Sequence, residues 1–191
     1  FFQVLVTAVA GYFFYLARRV SGGLVVPALL HGLWDFSLVS GSVVPDVTYL
    51  KERREQVKAF LITHAHEDHV GGLPYVLPEF PGVPIYASTL ARGLLGNKIK
   101  EHKLHNNPLH SLEPGDEVTI GPFTVVPFRV GHSIPDAMGI ALRTPVGTVV
   151  HTGDFKFDHT PVDGKLSDFH TLAKLGDEGV ICLLSDSTRA E

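Results

Sequence analysis

The chain has 191 residues, with 16 lysines and arginines against 20 aspartates and glutamates, a formal charge of −4. That length suits one domain with an appendage, and the charge balance excludes a protein that grips nucleic acid through an overall basic surface, so any such grip is local or supplied by further sequence. The single cysteine, Cys182, excludes an internal disulfide and fits a reducing compartment. Its apolar neighbours in Val180-Ile181-Cys182-Leu183-Leu184 predict a small buried hydrophobe rather than a reactive thiol.

Residues 1–44 are mostly apolar and aromatic, with Arg18, Arg19 and Asp35 as their only charges. Two runs, Phe1 to Ala17 and Leu24 to Val44, each approach the ~20 residues that cross a bilayer as a helix, which predicts a hydrophobic helical hairpin in the membrane. No basic region precedes the first run, so a signal peptide is disfavoured, and the opening in mid-helix is what a fragment would show. From Pro45 to Glu191 the text is that of an α/β protein. Tyr49 to Gln56 is expected to be helical, Ala59 to Thr63 a buried strand, and His69 to Val76 a short helix limited by Pro74 and Pro78. Val83 to Ala87 reads as a strand and Thr89 to Leu104 as a helix. Glu117–Ile120 and Phe123–Val130 are strands around the Gly121-Pro122 turn, and Gly139–Arg143 and Thr148–His151 are strands around Pro145-Val146-Gly147. A helix over Leu166–Leu175 and a last strand over Gly179–Leu184 complete a layered α/β pattern.

The chemistry concentrates in Thr63-His64-Ala65-His66-Glu67-Asp68-His69, directly after a buried strand. His64 and His66 are placed to bind one metal, with Asp68 and His69 turned towards a second. Imidazole with carboxylate suits Zn²⁺ and also admits Mn²⁺ or Fe. His132 and Asp154 each follow an apolar strand, where sheet ends gather ligands from distant sequence, and Asp154 is the natural bridge between two cations. A metal pair yields hydroxide at neutral pH and polarises the group under attack, which predicts hydrolysis, with Asp68 and His69 in the catalytic set and Asp68 able to orient the hydroxide. His151 is expected to support the site from behind the ligands. His102, His105 and His110 read as a solvated helix end and loop, and His159 and His170 as ordinary surface histidines.

The extended word Ile62 to Tyr75 (ITHAHEDHVGGLPY) resembles ribonuclease J, of the β-CASP group of the metallo-β-lactamase superfamily. So do Pro45 to Leu50, His132-Ser133-Ile134-Pro135-Asp136, Arg143 to Gly147, His151 to Asp158 and Ser185-Asp186-Ser187-Thr188. The resemblance implies an αββα sandwich and a two-zinc ribonuclease with endonuclease and 5′-to-3′ exonuclease activities, acting on cytoplasmic RNA. Carried over by position, His64, His66 and His132 would hold one zinc, Asp68 and His69 the other, and Asp154 would lie between them. It further suggests a homodimer, and RNA phosphate contacts by Ser187 and Thr188. Lys156 is left open between a phosphate and a surface carboxylate. By the same resemblance, the first strands of the domain would precede Pro45. The β-CASP insertion, the last histidine ligand and the return of the sheet would follow Glu191. Residues 45–191 are therefore expected to be a partial metallo-β-lactamase domain with an incomplete ligand set, and Arg189 stands where that family would have Asn.

The front segment has its own resemblance. Ser21-Gly22-Gly23-Leu24, Pro27 and His31-Gly32-Leu33-Trp34-Asp35-Phe36 look like the end of a CPBP (CAAX protease-like) intramembrane metalloprotease, which would make His31 and Asp35 an intramembrane site. Arg18 and Arg19 should stay cytoplasmic, which would deliver Pro45 onward to the far side of the membrane. That conflict suggests two pieces joined by a gene-model or assembly fault. The rival readings are a small-molecule hydrolase of thioester or lactam type on the same fold, and an inactive membrane-protein remnant. The words between Arg143 and Phe157 oppose the first of these.

Overall fold

The computed structural model describes residues 46–187. Contacts divide the chain into Phe1–Pro45 and Asp46–Glu191, and everything below concerns the second unit. The predicted membrane hairpin, with His31 and Asp35, and the predicted phosphate contact Thr188 lie outside the described residues. Among the described residues no helix is long and apolar enough to cross a membrane.

The described residues open with a short helix α1 (Thr48–Lys51) and a 3₁₀ turn over Arg54–Gln56, and then enter β1 (Phe60–Ile62). Two single-turn helices follow, α2 (Glu67–Val70) and α3 (Leu73–Val76), and then β2 (Ile85–Ala87), α4 (Thr89–Glu101) and β3 (Leu109–Ser111). The second half runs β4 (Val118–Ile120), β5 (Phe123–Arg129), β6 (Met138–Thr144), β7 (Gly147–His151), α5 (Phe169–Glu178) and β8 (Val180–Leu184). β1, β2 and β3 form a parallel sheet in that order. β4 to β7 form an antiparallel meander, and β8 adds parallel to β7 at its edge.

Alternation along the strands sorts the side chains into layers, because successive residues of a strand point to opposite faces. Phe60 and Ile62 of β1 and Ile85 and Ala87 of β2 pack with Ala91 and Leu95 of α4, outside the first sheet. Leu61 and Tyr86, from the same two strands, turn the other way and meet Val125, Met138, Ile140 and Leu142 of the second sheet. Phe128, Ala141 and Val150 face outward again and pack under Leu172 and Leu175 of α5. Helices, sheet, sheet, helix: the layering is the αββα sandwich expected from the sequence.

Both ends of α5 are chemically marked. The Asp168 carboxylate accepts from Thr171 N at 2.9 Å and from its hydroxyl at 2.6 Å, satisfying a backbone donor the helix cannot pair. Gly179 ends the helix at φ 91°, where a residue without Cβ is favoured.

Two sequence expectations are corrected. Leu109–Ser111 is a strand, although its surroundings read as polar loop; its ladder is supplied by β2 rather than by any alternation of its own. Cys182 is exposed rather than buried, because every residue of β8 is exposed at the rim of the second sheet.

Candidate metal centre

The site lies where strand ends of both sheets meet. β1 stops at Ile62, and Thr63 O accepts from Met138 N at 2.9 Å, tying the exit of β1 to the start of β6. The histidine loop therefore sits directly beside the second sheet. His132 lies in the connection from β5 to β6, whose neck is closed by Val130 N donating to Ala137 O at 3.2 Å. Gly131 pairs with Lys156 as an isolated antiparallel bridge, which lays the segment after Asp154 alongside His132.

Asp154 is the centre of the arrangement. Its Oδ2 lies 3.2 Å from His69 Nε2, 3.8 Å from His132 Nε2 and 3.9 Å from His64 Nε2. His132 Nε2 lies 3.0 Å from His66 Nδ1. Two groups of donor atoms result, His64 with His66 and His132, and His64 with His69 and Asp154, each gathered within 4.8 Å.

The electrostatics suit coordination. Burial pushes the His64 imidazole down to about 4, and the neighbouring His69 and His132 rings add to that, outweighing the attraction of Asp154. His132 is lowered by burial first and by His66 second. Rings that resist protonation keep lone pairs available at neutral pH, as metal ligands must. The Thr63 hydroxyl lies 3.2 Å from His64 Nδ1. Accepting from Nδ1–H there, it leaves the Nε2 lone pair free. Nε2 is buried without a hydrogen-bond partner among the described residues. A solvent-shielded nitrogen without such a partner is costly unless something binds it, and the imidazoles with Asp154 form donor groups that could hold a divalent cation.

Of the six ligands read from the sequence, the structure thus gathers His64, His66, His69, His132 and Asp154. Asp68 stands at the edge, 3.5 Å from His69 Nε2, with a side chain 78% exposed and outside both donor groups. Lys156 pairs with Asp158 at 3.1 Å, so the partner it shows is a carboxylate. Ser187 is exposed beyond β8. His151 Nδ1 accepts from Gly153 N at 2.9 Å, supporting the turn that carries Asp154. His110 stacks on Tyr86 at 5.0 Å and His102 meets Tyr75 edge-on at 5.8 Å, both away from the donor groups. An open apolar cleft of about 300 Å³, lined by Leu61, Ile140, Leu142, Val149 and Leu184, reaches the site at His69.

Sequence reasoning passed over Thr63 and Thr152, which hold the ligand-bearing loops. For Thr152 the available signal was the Thr-Gly-Asp order, since a glycine between two polar residues at a strand end marks a tight turn.

The family model for the beta-lactamase superfamily domain matches residues 34–173, most of the chain. The chain belongs to the beta-lactamase superfamily. Within the superfamily it is 45% identical over 179 residues to ribonuclease J of Thermus thermophilus, covering 90% of this chain and 30% of that protein. Ribonuclease J of Synechocystis sp. is 48% identical over 151 residues, covering 78% of this chain and 24% of that protein. The chain therefore spans a third or less of the length of these relatives. Among solved structures, Zn²⁺-bound PqqB from Methylobacterium extorquens shares the superfamily fold at a TM-score of 0.54 and 14% identity, over 75% of this chain and 54% of that one. A metallo-β-lactamase HARLDQ-motif mutant from Cronobacter sakazakii gives 0.52 and 19%, over 73% and 60%.

Proposed function

We propose that residues 45–191 form the metal-binding part of a ribonuclease J-like enzyme that hydrolyses RNA with a pair of zinc ions. The observation that carries this reading is the gathering of four imidazoles and the Asp154 carboxylate into two overlapping donor groups, three of the rings lying within 3.9 Å of that carboxylate, with the buried His64 Nε2 lacking a hydrogen-bond partner among the described residues. The 45% and 48% identities to ribonuclease J support RNA among the substrates of the superfamily.

His64, His66 and His132 would hold one ion and His69 and Asp68 the second, with Asp154 shared. Manganese would suit the same donors. Metal held there would supply hydroxide at neutral pH and polarise the phosphoryl group under attack. The protein's own part is to present neutral imidazoles and a fixed carboxylate. Asp68, exposed beside His69, would accept a hydrogen bond from the attacking water and aim it. Ser187 and Thr188 would contact phosphate of the RNA, and Lys156 would reach it by giving up Asp158. The reading places this part of the chain in the cytoplasm, where such RNA is processed.

The test is metal content by elemental analysis of the 191-residue chain purified without chelator, followed by cleavage of a 5′-monophosphorylated RNA. About two zinc ions per chain, lost on Asp154→Ala, together with RNA cleavage that the same substitution abolishes, are expected. A chain that carries zinc and turns over a lactam or thioester instead of RNA would refute the choice of substrate. A chain without metal would refute the centre itself.

A further inference from the structure

Thr152 is buried, 9% exposed, between the last residue of β7 and the Gly153–Asp154 turn. Its hydroxyl donates to Gly153 O at 2.7 Å and accepts from Asp186 N at 3.1 Å, while its own N donates to Leu184 O at 3.0 Å. The peptide on the near side of Gly153 is pinned as well, by Gly153 N donating to His151 Nδ1. Gly153 adopts φ +60°, and a Cβ there would lie 2.6 Å from Met138 O and 3.2 Å from Thr63 Cβ. The turn that ends in Asp154 is thus wedged against the histidine loop and the start of β6, and both of its peptides are held by side chains.

From this geometry we infer that Thr152 is a positioning residue for the metal centre, fixing the Gly153–Asp154 peptide so that the Asp154 carboxylate stays among the three imidazoles. The inference rests on the metal-binding reading above. Only one hydrogen bond separates the Thr152 hydroxyl from the carbonyl preceding Asp154, so its loss would leave that peptide free to rotate. It would also remove the hydroxyl that accepts from Asp186 N. The hydroxyl, rather than the bulk of the side chain, carries the effect. Groups that orient a ligand in this way typically contribute about 10–100-fold to metal affinity.

The experiment is zinc titration of the full chain by competition with a chromogenic chelator, with the visible spectrum of the cobalt-loaded protein as a second readout. Thr152→Val should weaken zinc binding by about 10–100-fold and change the cobalt bands, whereas Thr152→Ser, which keeps the hydroxyl, should stay within a few-fold of the unaltered chain. Thr152→Ala serves in place of valine if the extra methyl prevents folding. Thr171→Val, which loosens the start of α5 far along the chain, controls for general destabilisation and should leave zinc affinity unchanged. Zinc held equally tightly by the unaltered, serine and valine forms would overturn the inference alone. Parallel losses in the valine, serine and Thr171 forms would do the same, by showing a merely structural effect. Failure of the unaltered chain to bind zinc would overturn the metal reading, and this inference with it.

Discussion

Acidification of the metal-free chain should expose the cost of burying His64. In the folded state the ring's pKa falls from 6.5 to about 4, chiefly through burial, whereas in the unfolded chain it titrates near the ordinary value. Above 6.5 the ring is neutral in both states and the fold carries no penalty. Between 6.5 and about 4 the unfolded chain takes up a proton that the folded chain refuses, so stability falls as pH falls. At 1.36 kcal/mol per pH unit, the window is worth roughly 3 kcal/mol for this one ring. That is a large part of the ~5–15 kcal/mol holding a domain of this kind together. His132, lowered in the same direction, adds to the slope. The carboxylates with lowered values, Asp46, Asp158 and Asp168, act only below 3.8 and leave this window clear. The assay is urea unfolding of the chelator-treated chain at intervals from pH 7.5 to 4.5, with His64→Gln in parallel. Glutamine keeps a polar group but binds no proton, so its pH slope should be shallower by about one proton. Equal slopes in the two chains, or stability flat across the window, would refute the assignment of the penalty to His64.

Gly153→Ala places a Cβ at positive φ against the carbonyl of Met138, and should cost about 1–3 kcal/mol in unfolding free energy while also weakening zinc binding. Gly139→Ala would drive a methyl into the Phe128 ring, which fills the space under α5; a loss of ~1–3 kcal/mol on thermal unfolding is expected, with metal stoichiometry retained. Asp168→Ala removes the cap of α5 and should destabilise by about 1 kcal/mol near neutrality. Burial alone would raise the Asp168 pKa, but the hydroxyl and amide of Thr171 outweigh it and hold it below 3.8. The cap's contribution is therefore present above 3.8 and is lost on acidification below it, so the difference between the two chains should close at low pH.

The ligand loop was legible because its donors crowd into six residues behind an apolar strand, so local text carries both the chemistry and its placement. His132 and Asp154 were legible for a weaker reason: each is a polar residue at the exit of a strand, and strand exits collect on one rim. Thr152 escaped notice because nothing in its type separates a buried hydroxyl holding a turn from a solvated one. Its role lies in what Gly153 O and Asp186 N require, and those needs exist only once β7 and β8 are side by side. β3 escaped because three residues cannot show a period; the parallel ladder of β2 makes them a strand. The error over Cys182 has the opposite origin. An apolar run reports what a strand could bury, and says nothing about whether a neighbour covers it.

The donors come from both sheets, His64 and His66 from the loop after β1 and His69 from α2 behind it, His132 and Asp154 from the meander. No ligand set can therefore form unless the two sheets are packed through Leu61, Met138 and Ile140 and latched by Met138 N on Thr63 O. Metal that binds only the packed form must stabilise it by mass action, in proportion to the logarithm of free metal over its dissociation constant. The same linkage runs backwards: a cavity cut between the sheets, such as Ile140→Ala, weakens the apparent affinity once it leaves an appreciable fraction of the chain unfolded. The five candidate donors can gather only while the sandwich is intact. That is why an intact motif in the sequence is a necessary condition for a metal centre and never a sufficient one.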